Sequence, residues 1–358
     1  MRFRNLLVIG CLFFLLVPTI TFAHEVYVLT PSEIQQAVTT PSFSEVSVVF
    51  DNISEFFYWA FVGVFMVLVV FFISISHALE ARLDPVLTQL RRFAAPIARV
   101  TIGLSFLAAA YYQALYGPEL PLSVTFGGYA GVVTAVLAIL GVMLIAGIYT
   151  RAVALVALAL WVFTFAKYGI YTFTYTNYFG EILVLLILGA HHGAGPHESF
   201  RAAHRAATGW RQWSRSVALW FAPYSFLLLR VCFGFSLLYA SVYAKILHNN
   251  LALMVAELPL AGHASSLASV FGLEPHFLVL GAAIVEIVIA AFFILGIEIR
   301  FTSLFLLFWL SLSLAYFGEV VWPHLILIGI PIAFMFYGYD KYSLEGWLFK
   351  RGAREPVL

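Results

Sequence analysis

The sequence predicts an all-α fold: a polytopic helical bundle integral to a membrane, with about nine transmembrane helices in the mature chain. Three observations carry that expectation. Hydrophobic residues make up 63% of the 358 and charged residues 10%, against about 25% charged in soluble domains. The apolar residues come in runs close to the length that crosses a hydrocarbon layer of about 30 Å, and mean hydropathy is +0.97. The lysines and arginines gather in the links on one side of those runs.

Residues 1–23 read as a secretory signal peptide. Arg2 and Arg4 form a basic start, Leu6 to Val17 an apolar core too short to span comfortably, and Thr21-Phe22-Ala23 a small-x-small cleavage site. An uncleaved anchor is the alternative. Segment 24–98 holds a polar external stretch too short for a domain, a first span from Phe56 to Ile75, and a basic cytoplasmic linker with Arg82, Arg91 and Arg92. A four-helix unit is expected over 99–192, with spans near 99–116, 129–149, 152–172 and 178–192. A cytoplasmic linker, 193–223, carries Arg201, Arg205, Arg211 and Arg215. A second four-helix unit is expected over 224–348, with spans near 224–247, 276–297, 301–318 and 322–339. The tail, 349–358, carries Lys350, Arg351 and Arg354.

Orientation follows from lysine and arginine placement. With the mature N-terminus outside, the two basic linkers and the tail are cytoplasmic, and Arg151 and Arg300 fall in tight inner turns between spans. The outer loops 117–128, 173–177 and 248–275 contain no Lys or Arg. Such a protein belongs in the energy-coupling, plasma or inner, membrane.

The chain repeats itself. Arg99-Val-Thr-Ile-Gly103-Leu-Ser105-Phe-Leu107 matches Arg230-Val-Cys-Phe-Gly234-Phe-Ser236-Leu-Leu238, and Gly147-Ile-Tyr-Thr-Arg151 matches Gly296-Ile-Glu-Ile-Arg300. Tyr168-Gly169 aligns with Phe317-Gly318, and Phe179 to Ile182 lies where Trp322 to Leu325 lies. Fixed offsets over four helices exceed chance similarity between apolar runs. Each copy has an even number of spans, so the two run parallel rather than inverted.

The second copy resembles the DoxX/DoxD-like family of four-helix membrane proteins. The residues behind the resemblance are Arg230 and Gly234, Lys245, the run Glu286-x9-Gly296-x3-Arg300, and the close Gly338-Tyr-Asp-Lys-Tyr342-Ser-Leu-Glu345. It covers about 120 residues well and 99–192 weakly. The first copy departs from the pattern: Leu137 stands where Glu286 does, and Gln113 and Ala114 stand near the lysine position. The resemblance implies a membrane subunit of a redox system that helps pass electrons from a reduced sulfur or thiol donor to quinone. Any donor-side centre would then sit on a redox partner protein.

The candidate site comes from polar residues inside the apolar runs. A free carboxylate in hydrocarbon costs roughly 2.5–3.5 kcal/mol on insertion scales, so Glu286 calls for a partner, and Lys245 is the first to consider. Lys167, Glu181, Glu319 and His324 also fall near outer helix ends, and the inner half of the helices reads as nearly all apolar. The functional reading is an outward-open pocket with Lys245, Glu286 and His324 as the reactive groups. His324 would hand protons to a quinone or another small redox molecule, and Trp322, Tyr243, Phe317 and Glu319 would help hold it. A second polar pair, Lys167 with Glu181, is a candidate in the first copy. The bland reading has Lys245 snorkelling to the interface, Glu286 bonding a neighbouring helix, and the aromatics forming an interfacial belt. The outer loop from Asn249 to Pro275 would cover the pocket or lie as an interfacial helix.

Other chemistry finds little support. Cys232 reads as a small buried hydrophobe, and no Cys-x-x-Cys exists. No metal or flavin ligand set is expected. A haem on His77, His191 or His192 is conceivable, though histidines at membrane ends are commonly interface residues. No basic run with interleaved aromatics suggests nucleic acid. Gly127, Gly128 and Gly131 read as close helix packing. A transporter or channel for a small solute remains the alternative, as does a scaffold or assembly protein without a site. The residues do not decide whether the chain is an enzyme.

Overall fold

The computed structural model describes residues 29, 31–51, 60–69, 71, 82, 85–87, 89–189, 220–257, 266, 269, 274–317, 322–338 and 342–349. The signal peptide, His77, His191, His192, the linker 193–216 and Glu319 lie outside the described residues, as does the side chain of Phe317.

The described chain is helical, with one isolated bridge between Ala114 and Pro121. In order the helices are α1 (Pro31–Thr39), α2 (Glu45–Asp51), α3 (Ala60–Val69), α4 (Ala94–Tyr112), α5 (Leu122–Phe126), α6 (Ala130–Ala146), α7 (Thr150–Tyr168) and α8 (Thr176–Leu188). Then come α9 (Ser225–Val242), α10 (Asn249–Glu257), α11 (Pro275–Leu295), α12 (Ile299–Phe317), α13 (Pro323–Tyr337) and α14 (Leu344–Phe349). Among the described residues five helical runs are long and apolar enough to cross a membrane: Arg91–Tyr112, Leu122–Ala146, Thr150–Leu188, Ala222–Leu247 and Pro275–Leu295. Three shorter apolar helices are Ala60–Val69, Ile299–Leu312 and Pro323–Tyr337. The run Thr150–Leu188 turns back on itself at Gly169, whose φ of +59° only glycine adopts cheaply. Across that turn Trp161 donates to Tyr175 O at 3.1 Å and packs on the Phe179 ring.

Four helices form the centre. Helix α4 packs on α6, α8 and α13, and α9 packs on α8 and α11. Rings close the remaining side: Phe226 of α9 stacks on Tyr337 of α13, with centroids 3.9 Å apart, and Phe233 meets Phe334 edge-on. Small residues set how near the helices come. A Cβ at Gly103 would sit 2.8 Å from Ile145 Cγ1, and one at Gly234 would sit 2.8 Å from Ala290 O. Gly180 likewise lies against Cys232, and Gly329 against Thr101. Without a hydrophobic driving force between helices in lipid, close backbone approach of this kind supplies the van der Waals contact that holds a bundle. Gly127, Gly128 and Gly131 do not serve this purpose, since a Cβ at any of them would meet nothing within 4 Å.

At one end of the bundle, arginines lie over helix C-termini. Arg230, fully buried, donates from Nη1 to Phe293 O at 2.7 Å and Ile294 O at 3.0 Å, and from Nη2 to Tyr342 O at 3.4 Å. Arg300 Nε donates to Met335 O at 3.1 Å, and Arg151 Nη2 to Ile187 O at 3.0 Å. The Arg99 guanidinium lies against Gly147. Each cation meets the last carbonyls of a helix or the glycine that ends it, where the partial negative charge is greatest. These arginines are therefore structural groups inside the bundle, more than the turn charges the sequence suggested. The end they mark is called the arginine end below.

Candidate functional site

Lys245 and Glu286 meet. The Lys245 Nζ lies 3.0 Å from Glu286 Oε2, with the lysine side chain 6% exposed and the glutamate 23%. Glu286 lies eleven residues into α11, about 17 Å along its axis at 1.5 Å per residue, well inside an apolar helix. Lys245 is fifteen residues beyond Arg230, toward the opposite end of the bundle from the arginines. It stands on a π-helical turn, Tyr243–Leu247, which extends α9 and in which His248 N bonds Tyr243 O. Such a turn carries one extra residue per loop of helix, is rare, and often occurs at functional sites.

Tyrosines gather at the same end. Tyr243, in the π-helical turn with Lys245, packs edge-on against Tyr171 at 5.4 Å, against His248 at 4.7 Å, and alongside Tyr239 at 6.2 Å. Tyr171 Oη donates to Glu119 Oε1 at 3.2 Å. Tyr178 shares a hydrogen bond with Ser105 Oγ at 2.6 Å and donates to Tyr116 O at 3.3 Å. Nothing in the periodicity announced this group. The signal available was the density of tyrosine in 168–178 and 239–243.

Trp322 and His324 are buried at that end too, at the start of α13, which packs on α4 and α12. The Trp322 ring stacks on Tyr112 of α4, with centroids 4.9 Å apart and planes within 10°.

The segment before α3 forms part of the site's surroundings. Asn249 is fully buried; its Nδ2 donates to Phe43 O at 2.7 Å and Glu45 Oε1 at 2.8 Å, and its Oδ1 accepts from Phe43 N at 3.1 Å. Ser42 donates to Leu247 O at 2.6 Å, and Asn250 Nδ2 to Thr40 O and Pro41 O. Leu29 and Ala37 pack with Leu251 and Val255. The stretch expected to be too short for a domain is instead fastened to α10, and α10 packs on the π-helical turn and on α11. Both cover the end that holds Lys245. At the start of α11, Glu274 caps the helix by accepting from Phe277 N at 2.9 Å, and it also contacts His276 Nδ1. Partial burial alone pushes the Glu274 carboxyl up; the hydrogen bonds from the His276 ring and from backbone N–H groups outweigh it and hold the carboxyl below its ordinary value.

Two expectations about residues 99–192 fail. Lys167 does not pair with Glu181: its Nζ donates to Val124 O at 2.7 Å and Thr125 O at 2.5 Å, at the end of α5. Those carbonyls are left over by a helix of one turn and a half, so a cation settles on them. Glu181 stands one turn beyond Tyr178, near the middle of α8. It lines a cavity of about 60 Å³ whose other walls include Arg99, Leu188, Gly189 and Tyr337, at the arginine end. The arginine half of the bundle, into which this cavity reaches, is therefore not all apolar. Cys232 is buried against Gly180, as a small hydrophobe would be.

Among the described residues no group of three or more His, Cys, Asp or Glu is placed to hold a metal ion. No family model, curated protein or solved structure matches the chain.

Proposed function

We propose that the chain is a DoxX-like membrane protein of nine mature spans, and a membrane subunit that helps pass electrons from a reduced sulfur or thiol donor to quinone. The spans comprise the leading helix α3 and two parallel four-helix units, with the N-terminus outside. The observation that carries the reading is the Lys245–Glu286 pair: two opposite charges in contact, deep in apolar helices, beside a bank of tyrosine rings. A charge pair can hydrogen-bond the two carbonyls of a quinone head group, and the rings offer flat apolar surfaces to it. In this reading His324, buried at the same end, serves as the proton carrier, and Trp322 and Tyr243 help shape the pocket.

Paired contacts support the two-unit architecture. Arg99 lies over Gly147 as Arg230 lies over Gly296, and Arg151 over Gly189 as Arg300 over Gly338. Gly180 meets Cys232 as Gly329 meets Thr101. These pairs favour a register that sets Glu181 against Ile330, rather than against His324 as the match of Phe179–Ile182 to Trp322–Leu325 supposes. The arginines at one end support the inward placement of that end.

The test is quinone content and binding in the purified protein, wild type beside Glu286→Gln and Lys245→Met. Stoichiometric quinone that is lost in both variants, with folding intact, is the expected result. A wild type that holds no quinone across several lipid compositions sinks the reading. One observation favours the transporter alternative: the cavity at Glu181 gives the arginine half of the bundle a polar group of its own. Solute uptake in vesicles separates the two.

A further inference from the structure

The cavity beside Glu181 has no part in the redox reading. It lies among the four central helices, bounded by Arg99 on α4, Glu181 and Leu185 on α8, Ser225 and Phe226 on α9's first turn, and Tyr337 on α13. Its walls are almost wholly hydrocarbon. Its volume, about 60 Å³, is room for roughly four water molecules. Glu181 is 1% exposed, and neither carboxyl oxygen has a hydrogen-bond partner among the described residues.

A carboxylate in that setting is unstable unless something neutralises it. Among the described residues no cation on the elements packed around it bonds the carboxyl. On α7 there are two cations: Arg151 donates to Ile187 O, and Lys167 is held by Val124 O and Thr125 O. On α9, Cys232 is uncharged and packs against Gly180, while Arg230 is spent on the end of α11. On α8 itself, Tyr178 is engaged by Ser105 and Tyr116. The turn before α8 contributes Tyr171, bonded to Glu119, and Tyr175. On α4, Arg99 lines the cavity with its guanidinium against Gly147. At the mouth Arg91 lies 4.3 Å over the Tyr337 ring.

A metal ion would need several oxygen ligands, and Glu181 is the lone carboxylate among the residues that line the cavity. An organic cation would have to pass Arg91 and Arg99. A proton needs one oxygen and a few waters, and passes arginines without displacing them. We propose that Glu181 is a proton-binding carboxyl, loaded through this cavity from the arginine end. The reading is independent of any quinone at Lys245, and its test does not touch that site.

The probe is dicyclohexylcarbodiimide, which adds to protonated carboxyl groups in apolar surroundings, applied to the full chain in lipid nanodiscs with mass spectrometry to locate the adduct. Labelling at Glu181 is expected, falling about tenfold per pH unit once the group ionises. Infrared spectra give a second readout: a carboxylic C=O band lost in Glu181→Gln and retained, shifted, in Glu181→Asp. Ala95→Trp, which fills the mouth, is expected to slow hydrogen–deuterium exchange of that band. An unlabelled Glu181 at every pH, or no carboxylic band that the Gln variant removes, overturns the proton site. An exchange rate unchanged by Ala95→Trp overturns the cavity as its route.

Discussion

Removing one partner of the Lys245–Glu286 pair is the sharpest perturbation the structure offers. At 3.0 Å and an effective dielectric near 20, the Coulomb attraction is about 5 kcal/mol, offset in large part by the cost of desolvating both ions. What a single substitution exposes is the cost of the ion left behind. Breaking a buried pair typically costs about 3–5 kcal/mol. Glu286 keeps 23% exposure while Lys245 has 6%, so the two directions differ. Glu286→Leu strands the more buried ion and is expected to cost about 3 kcal/mol, Lys245→Met less, since water reaches the carboxylate. Replacing both by apolar residues removes both desolvation costs, and the double variant is expected within about 1 kcal/mol of wild type. The assay is reversible unfolding in mixed micelles followed by tryptophan fluorescence, run as a double-mutant cycle. If Glu286→Leu costs under about 0.5 kcal/mol, or if the two single costs simply add, the pair is not coupled as the geometry says.

Three further outcomes follow from other contacts. Asn249→Ala leaves Phe43 N, Phe43 O and Glu45 without their partner; a loss of about 1–3 kcal/mol is expected, with faster proteolysis within residues 31–51 while the central bundle stays protected. Gly234→Val drives a branched side chain against Ala290 O and Ile294, so a cost of about 1–3 kcal/mol is expected in the thermal midpoint, against little change for Gly128→Val, which meets open space. Glu274 has its carboxyl held below the ordinary value near 4.5, so its contribution to stability is complete above that pH and is lost as pH falls through the lowered value. Thermal midpoints measured across acidic pH should therefore show a step in the wild type that Glu274→Gln lacks.

The apolar runs were legible because chain length and hydropathy in a membrane leave few alternatives to helix. The Lys245–Glu286 contact was legible for a related reason: two opposite charges in hydrocarbon each have few other partners. The same logic misled at Lys167 and Glu181. It counted side-chain charges and left out backbone carbonyls, which at the end of α5 satisfy a lysine as well as a carboxylate does. The cavity that Glu181 faces was not legible because it depends on how α4, α8, α9 and α13 pack together, and packing between helices leaves little trace in hydropathy. Arg151 and Arg300 were recognised as charges in turns, but their hydrogen bonds to Ile187 O and Met335 O join residues 36 and 35 positions apart. Asn249 follows no pattern at all; its worth lies in three contacts made more than 200 positions away.

That last distance has a consequence for how the molecule is made. Phe43 and Asn249 are separated by 206 residues, and translation runs at about 5–20 residues per second. Residues 31–51 therefore wait roughly 10–40 s after they emerge before their clasp exists. During that interval Leu29 and Ala37 have no Leu251 or Val255 to cover them, so the earliest part of the fold to be synthesised is among the last to be secured. Closing the clasp is then a check that everything between its two halves has been threaded correctly, because residues on the wrong side of a bilayer can never reach each other.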